Sequence, residues 1–214
     1  MYRIKEIIMT KNNSKQDILR CAKKEFLEKG YKGASLRKIA KMAGVTTGAF
    51  YAHFSDKSEL FDVLVQPAVH KFTDQYAHIS ATYDGFIDDR RTLQSTIWDM
   101  AEKNMRQHIK EIFVNLDVFK LLLLCADGTK YSDYIERIID KSVEETKRYF
   151  EFLKSEGIEI NSITDNELHI LCHAHFSAIY EIVKHDMTLE EAYDYLGTIT
   201  KFFVAGWKSI LDIR

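Results

Sequence analysis

Apolar residues fall at steps of three and four along most of the chain, the rhythm of helices packed by one face, and no sheet is expected. Ile18, Ala22 and Phe26 share a face of a first helix that starts near Ser14, an N-cap residue type, and stops at Gly30. Ser35 then caps a short second helix with Leu36, Ile39, Ala40 and Ala43 inward, Gly44 supplies the backbone freedom for a tight turn, and Val45 plugs that turn. A third helix over about 46–53 brings Phe50, with Phe54, against the first two. Three helices ending in a helix-turn-helix are expected.

Asp56 and Glu59 resemble a capping box that opens a fourth helix through Phe61, Leu64 and Val65 toward Tyr76, with a kink at Pro67. Beyond a turn at 83–85, helices are expected at 87–108, 110–126, 130–156, 165–185 and 188–212, with breaks at 127–128, at Gly157 and at 186–188. The fold class is therefore all-α with about nine helices. It comprises an N-terminal arm and helix-turn-helix domain over 1–57, and a C-terminal helical domain over 58–214, to which the family resemblance given below assigns ligand binding and dimerisation.

Composition sharpens this picture. One proline and nine glycines in 214 residues leave few strand or turn breaks, which favours helix. The longest apolar run, 121–126, is far short of the ~20 residues that span a bilayer, and the first ten residues carry no leader-like apolar segment, so a cytoplasmic protein is expected. Met9 is an alternative start. Cys21, Cys125 and Cys172 are an odd, scattered set that reads as reduced, buried thiols. The overall charge of −2 hides a division: residues 1–60 carry 13 basic against 6 acidic side chains, leaving 17 against 26 for the rest. A basic head on an acidic body points to a polyanion as the head's partner.

The stretch 35–60, SLRKIAKMAGVTTGAFYAHFSDKSEL, carries the most specific chemistry. The second helix of a helix-turn-helix enters the DNA major groove, and Thr46, Thr47 and Gly48 give it the small polar start that close approach requires. Tyr51, His53 and Lys57 offer donors to phosphate, and Arg37 has the two-pronged group that reads guanine. Arg3, Lys5 and Lys11 belong to an arm that reaches phosphate or the minor groove, or to a solubilising tail. Two other readings remain open: a basic module that docks on an acidic partner or membrane surface, and a constitutive DNA-organising protein without an effector.

Ser35, Arg37, Ile39, Ala40, Ala43, Gly44, Val45, Gly48, Tyr51, His53, Phe54, Lys57 and Leu60 together resemble the N-terminal module of the TetR family of transcriptional regulators, with Ser35 where threonine is usual. The resemblance implies double-stranded DNA as partner, contacted by Ser35, Arg37, Thr46, Thr47, Gly48, Tyr51, His53 and Lys57. It also implies a homodimer joined by a four-helix interface and a ligand cavity in the body.

In the body, two adjacent helices repeat a seam of apolar positions: Leu168, Cys172, His175 and Ile179, then Leu196, Phe203, Trp207 and Ile210. These are the expected dimer contacts. Trp98, Met105, Phe113, Leu123, Tyr134, Phe150, His173 and Phe176 are the expected pocket lining for an apolar or aromatic effector, cationic rather than anionic given the acidic body. His169 and His173, one helical turn apart, have metal-ligand spacing but no third ligand nearby, so no metal is assigned. No nucleophile elbow, P-loop, HExxH or GxGxxG occurs, and neither catalysis nor a cofactor is expected. The sequence thus reads as a cytoplasmic, homodimeric repressor that binds a palindromic operator and is released by a small-molecule effector.

Overall fold

The computed structural model describes the backbone of residues 2–87 and 93–212, and the side chains of 13–73, 103 and 105–212. Nine α-helices and no strand occur among the described residues: α1 (Tyr2–Gly33), α2 (Leu36–Met42), α3 (Thr47–Tyr51), α4 (Lys57–Ile87), α5 (Leu93–Val114), α6 (Leu116–Leu124), α7 (Tyr134–Ser155), α8 (Asp165–Lys184) and α9 (Leu189–Leu211). No described helix is long and apolar enough to cross a membrane.

The chain forms two units. The head comprises the residues up to Lys71 together with Asp117–Asp133, and the body comprises Phe72–Leu116 together with Tyr134 onward. The head core is Ile18, Ala22, Phe26, Ile39, Ala40, Phe50, Phe54, Leu60, Phe61 and Val65, all buried. Phe61 is its hub, meeting Phe26 edge-on at 5.1 Å and Tyr31 edge-on at 5.4 Å between ring centroids. The 117–133 segment is fastened to the α1 and α4 side of the head by polar bonds. Tyr31 N donates to Cys125 O at 2.9 Å, Lys23 and Lys32 pair with Asp117 and Asp127 at 2.7 Å each, and Asp62 accepts from Lys130 and from the Tyr131 hydroxyl. Burial raises the Asp62 pKa, but those two donors outweigh it and hold the carboxyl below its usual range.

In the body, Ile109 of α5 packs with Ile182 of α8 and with Ala192 and Leu196 of α9, flanked by Met105, Phe113, Met187, Tyr193 and Tyr195. Helix ends are closed by local chemistry. At the end of α7, Gly157 is left-handed, its N–H reaches Lys154 O and the next N–H reaches Leu153 O. The same pair of bonds ends α8 with Asp186 in the glycine role, after which Thr188 and Glu191 form a capping box that starts α9.

Three expected boundaries are corrected. The first helix does not start at Ser14 but reaches back to Tyr2, because the residues before Ser14 contain no proline or glycine to stop it; the expected stop at Gly30 stands, since its φ of 65° leaves the helix. No turn forms at 83–85; α4 continues to Ile87, because a lone glycine costs a helix only ~1 kcal/mol relative to alanine. The break expected near 109 lies instead at Asn115, whose side-chain amide caps Glu111 O at 3.3 Å, while Ile109 is fully buried mid-helix in the core. The arm side chains Arg3, Lys5 and Lys11, and Met9, lie outside the described residues.

Burial pushes the pKa of both His108 and His175 down to about 4, so the body holds two neutral imidazoles. The unfolded chain takes up those protons near pH 6.5, whereas the native state refuses them down to about 4. Stability is therefore full above pH 6.5 and falls as pH drops toward 4, by at most ~1.4 kcal/mol per pH unit for each histidine. Urea midpoints at pH 7.5, 6.0 and 5.0 should decline over this window, and His175→Leu should flatten the decline. An unchanged slope in that variant would remove His175 from the account.

Candidate nucleic-acid interface

The α2–α3 pair is built from two N-caps and one tight turn. The Ser35 side chain accepts from Lys38 N at 3.4 Å, and the Thr46 side chain accepts from Ala49 N at 3.1 Å. Between them Gly44 is left-handed, with its N–H on Lys41 O and the Val45 N–H on Ala40 O, a closure that β-branched or bulky residues would strain. Ile39 and Phe50 are buried beneath, so the opposite surface is fixed by the core.

That surface holds most of the expected contacts. Ser35, Arg37, Thr46, Thr47 and Gly48 are exposed, and Tyr51 stands 54% exposed, edge-on to Phe50. A Cβ added at Gly48 would meet nothing within 4 Å, so the glycine answers no packing need within the head. His53 is half-buried beside Phe54. Lys38 is withdrawn from the surface charge by Glu25, a buried carboxylate 2.5 Å away, and its pKa is raised by that hydrogen bond.

Lys57 is placed differently. Its ammonium donates to Lys32 O and Ala34 O at 3.2 Å each and lies 4.7 Å from the centre of the Tyr31 ring. These bonds lock the link from α1 to α2 immediately before the Ser35 cap. The sequence shows a basic residue in a first helical turn but not that its donors face inward.

The expected pocket residues do not gather around one described space. The Trp98 side chain lies outside the described residues, and Leu123 belongs to the head with α6. Tyr134, Phe150 and Phe176 are buried body core, and Phe150 meets Trp207 edge-on at 6.4 Å. His173 is exposed, with Nε2 3.3 Å from Glu136 of α7 and Nδ1 3.3 Å from Ser177 Oγ. His169 similarly faces Asp140 at 3.8 Å. Clefts of about 500 and 490 Å³ are lined by Glu181, His185, Met187, Glu191 and Tyr195, and by Lys154, 157–161 and Asp212, and contain none of the expected lining residues.

The seam divides in two. Leu168, Cys172, Ile179 and Leu196 are buried inside the single chain, where they hold α8 and α9 in their own core, so their surface is not open to a second copy. His175 stacks on Phe203 at 4.5 Å, Phe203 and Trp207 are half-buried, and Ile210 is 40% exposed. The most exposed of the large apolar residues described on α8 and α9 are Ile170 and Phe202, 63% and 71% exposed, which sit outside the repeat that marks the seam. An apolar residue interrupting the polar side of a helix was the available signal.

The family described as bacterial regulatory proteins, tetR family, matches residues 18–64. The chain is 43% identical over 54 residues to the transcriptional repressor AcnR of Corynebacterium glutamicum, covering 25% of this chain and 29% of that one. It is 35% identical over 71 residues to the regulator TtgR of Pseudomonas putida, 33% of each chain, and 29% identical over 103 residues to AcrR of Shigella flexneri, 48% and 47%. The chain thus spans less than half the length of each of these relatives. Two solved structures share the fold. A TetR-family member from Streptomyces coelicolor superposes with a TM-score of 0.55 at 20% identity, over 87% of this chain and 88% of that one. SmeT, the repressor of the Stenotrophomonas maltophilia efflux pump SmeDEF, superposes with a TM-score of 0.54 at 17% identity, over 94% and 90%.

Lys57 and Tyr51 should separate in a melting experiment. Lys57→Met leaves two carbonyls short of a donor and should cost the head about 1–3 kcal/mol, whereas Tyr51→Phe should stay within about 0.5 kcal/mol of the parent. Equal thermal midpoints for Lys57→Met and the parent would show that the lysine does not anchor the link.

Proposed function

Because the chain belongs, through its head, to the TetR family of bacterial regulatory proteins, we propose that it is a cytoplasmic transcriptional repressor that binds a palindromic operator as a homodimer and is released by a small-molecule effector. The observation that carries the DNA reading is the α2–α3 surface. A capped helix whose exposed start is Thr47 and Gly48 lies next to exposed Arg37 and Tyr51, on a core that fixes all four. Arg37 and Thr47 read base edges. Ser35, Thr46, Tyr51 and His53 hold phosphate, and Gly48 lets the backbone approach it. Lys57 serves the interface by fixing the link ahead of Ser35.

One such unit covers few base pairs, and a twofold dimer reaching half-sites about 34–36 Å apart supplies the missing specificity. We place the dimer face on α8 and α9 around Ile170 and Phe202, whose apolar surface has no cover within the chain. Effector binding in the body favours a conformer with the two recognition helices off the spacing of adjacent grooves, α4 being continuous between the units. A coupling of ~1–3 kcal/mol would weaken DNA binding about 5–150-fold.

Selection from a random duplex pool tests the reading directly. The expected product is a palindrome with half-sites about one helical turn apart; an asymmetric product, or no enrichment, overturns it. Tyr51→Phe should weaken binding alike for all sequences, and Arg37→Ala should change which bases are enriched. Phe202→Asp should sediment as a folded monomer, and a dimer of parental affinity would exclude the α8–α9 face.

A further inference from the structure

One side chain of the head carries charge where an apolar residue would suffice. Glu25, one turn after the buried Cys21 on α1, is 2% exposed, and no other charged residue is buried among the described residues. Its enclosed Oε2 has the Lys38 ammonium of α2 at 2.5 Å and no other partner among the described residues. A buried ion pair adds little net stability, because taking the charges out of water offsets their attraction, and apolar residues of similar volume hold such a place as well or better. What the pair supplies that an apolar contact lacks is direction, since it holds one ammonium at one point on α1.

The second helix needs such a fix. It is seven residues long and buries only Ile39 and Ala40. Both its ends are closed by local bonds, the Ser35 side chain on Lys38 N and the Val45 N–H on Ala40 O, and neither bond refers to α1. Among the described residues, Lys38 makes the only side-chain polar tie from α2 to α1. Lys38 adjoins the exposed Arg37, so the rotation of α2 that Lys38 sets is the rotation at which Arg37 is presented. Two-pronged reading of a base needs its side chain held to about 0.5 Å and 10–20°. The lysine is itself committed inward. Glu28 lies 3.8 Å from its ammonium, so a phosphate brought there meets two carboxylates.

We propose that Glu25 is a positioning residue for base reading: through Lys38 it sets the rotation of α2, and with it the approach of Arg37 to the base edge, while Lys38 contacts no phosphate. This rests on the base-edge role of Arg37 given above. Selectivity of the head then depends on a carboxylate that never meets DNA.

The test uses the full chain and the duplex enriched from the random pool, carrying either the preferred or the next-best base where Arg37→Ala alters the preference. Glu25→Met/Lys38→Met removes both charges without leaving one buried alone. It is compared with the parent, with Arg37→Ala, and with the two changes added to Arg37→Ala. The double variant should melt at or above the parent temperature and keep the parental log–log salt slope, yet lose about fivefold of the discrimination at that base. In the Arg37→Ala background the two changes should cost no further discrimination. A slope shallower by about one makes Lys38 a phosphate contact and overturns the assignment. Parental discrimination in the double variant overturns the positioning role while leaving Arg37 as the base reader. An equal loss with and without Arg37 overturns it as well, because that marks general loosening of the head, and so does melting several degrees below the parent. If no duplex is enriched, or Arg37→Ala leaves every base preference unchanged, the base-edge reading falls and the positioning role falls with it.

Discussion

The head is not a contiguous piece of chain. Its first 71 residues are completed by Asp117–Asp133, which buries Phe119, Leu121, Leu122 and Tyr131, while at the join the Asp62 carboxylate receives Lys130 and the Tyr131 hydroxyl. Phe61, beside that aspartate, is the hub of the head's aromatic core, so the same turn of α4 supplies both the apolar centre and the polar clasp. Around it, Lys23–Asp117, Lys32–Asp127 and the Tyr31 to Cys125 backbone bond extend the fastening along α1. Gly128 lets the strap lie close: its φ is 84°, and a Cβ there would sit 2.9 Å from Lys32 Cε.

The chain therefore passes between head and body three times, at 71–72, 116–117 and 133–134. The 117–133 segment enters the head after α5 and leaves it before α7, while α4 runs through the 71–72 boundary. Lys32 joins that segment to the link before α2. Its side chain pairs with the strap, and its carbonyl takes the Lys57 ammonium that fixes the approach to Ser35. In the head Lys23, Lys32, Lys38, Lys57 and Lys130 are each paired within the unit, while Arg37, Thr47 and Tyr51 stand exposed on the α2–α3 surface.

The body uses polar groups in the opposite way. His108 and His175 are kept neutral by burial, one beside Phe72 and the other stacked on Phe203, and Cys172 is driven up to about 11 by the same exclusion of water. A thiol so protonated is not a nucleophile at neutral pH, which leaves Cys172 as a small packing group.

Local chemistry was legible from the sequence alone. Ser35, Gly44, Gly157 and Thr188 act through bonds to residues within five positions, so these caps, the tight turn and the helix-turn-helix could be read from spacing, whereas Thr46, expected as the first helical residue, is the N-cap of α3. The all-α class and the core positions Ile18, Phe26, Ile39 and Phe50 followed from the same short-range periodicity. Contacts between residues far apart in sequence could not be read this way. The seam of Leu168, Cys172, Ile179 and Leu196 has a rhythm that suits a partner chain and an internal core equally, and only the packing of α8 with α9 and their neighbours assigned those residues to the core. Lys57 looked like any basic residue at a helix start until the fold brought it to two carbonyls more than twenty residues earlier. Periodicity fixes which face of a helix is apolar, because that depends on 3.6 residues per turn; what the face meets depends on chain returns such as 117–133, which only the tertiary structure decides.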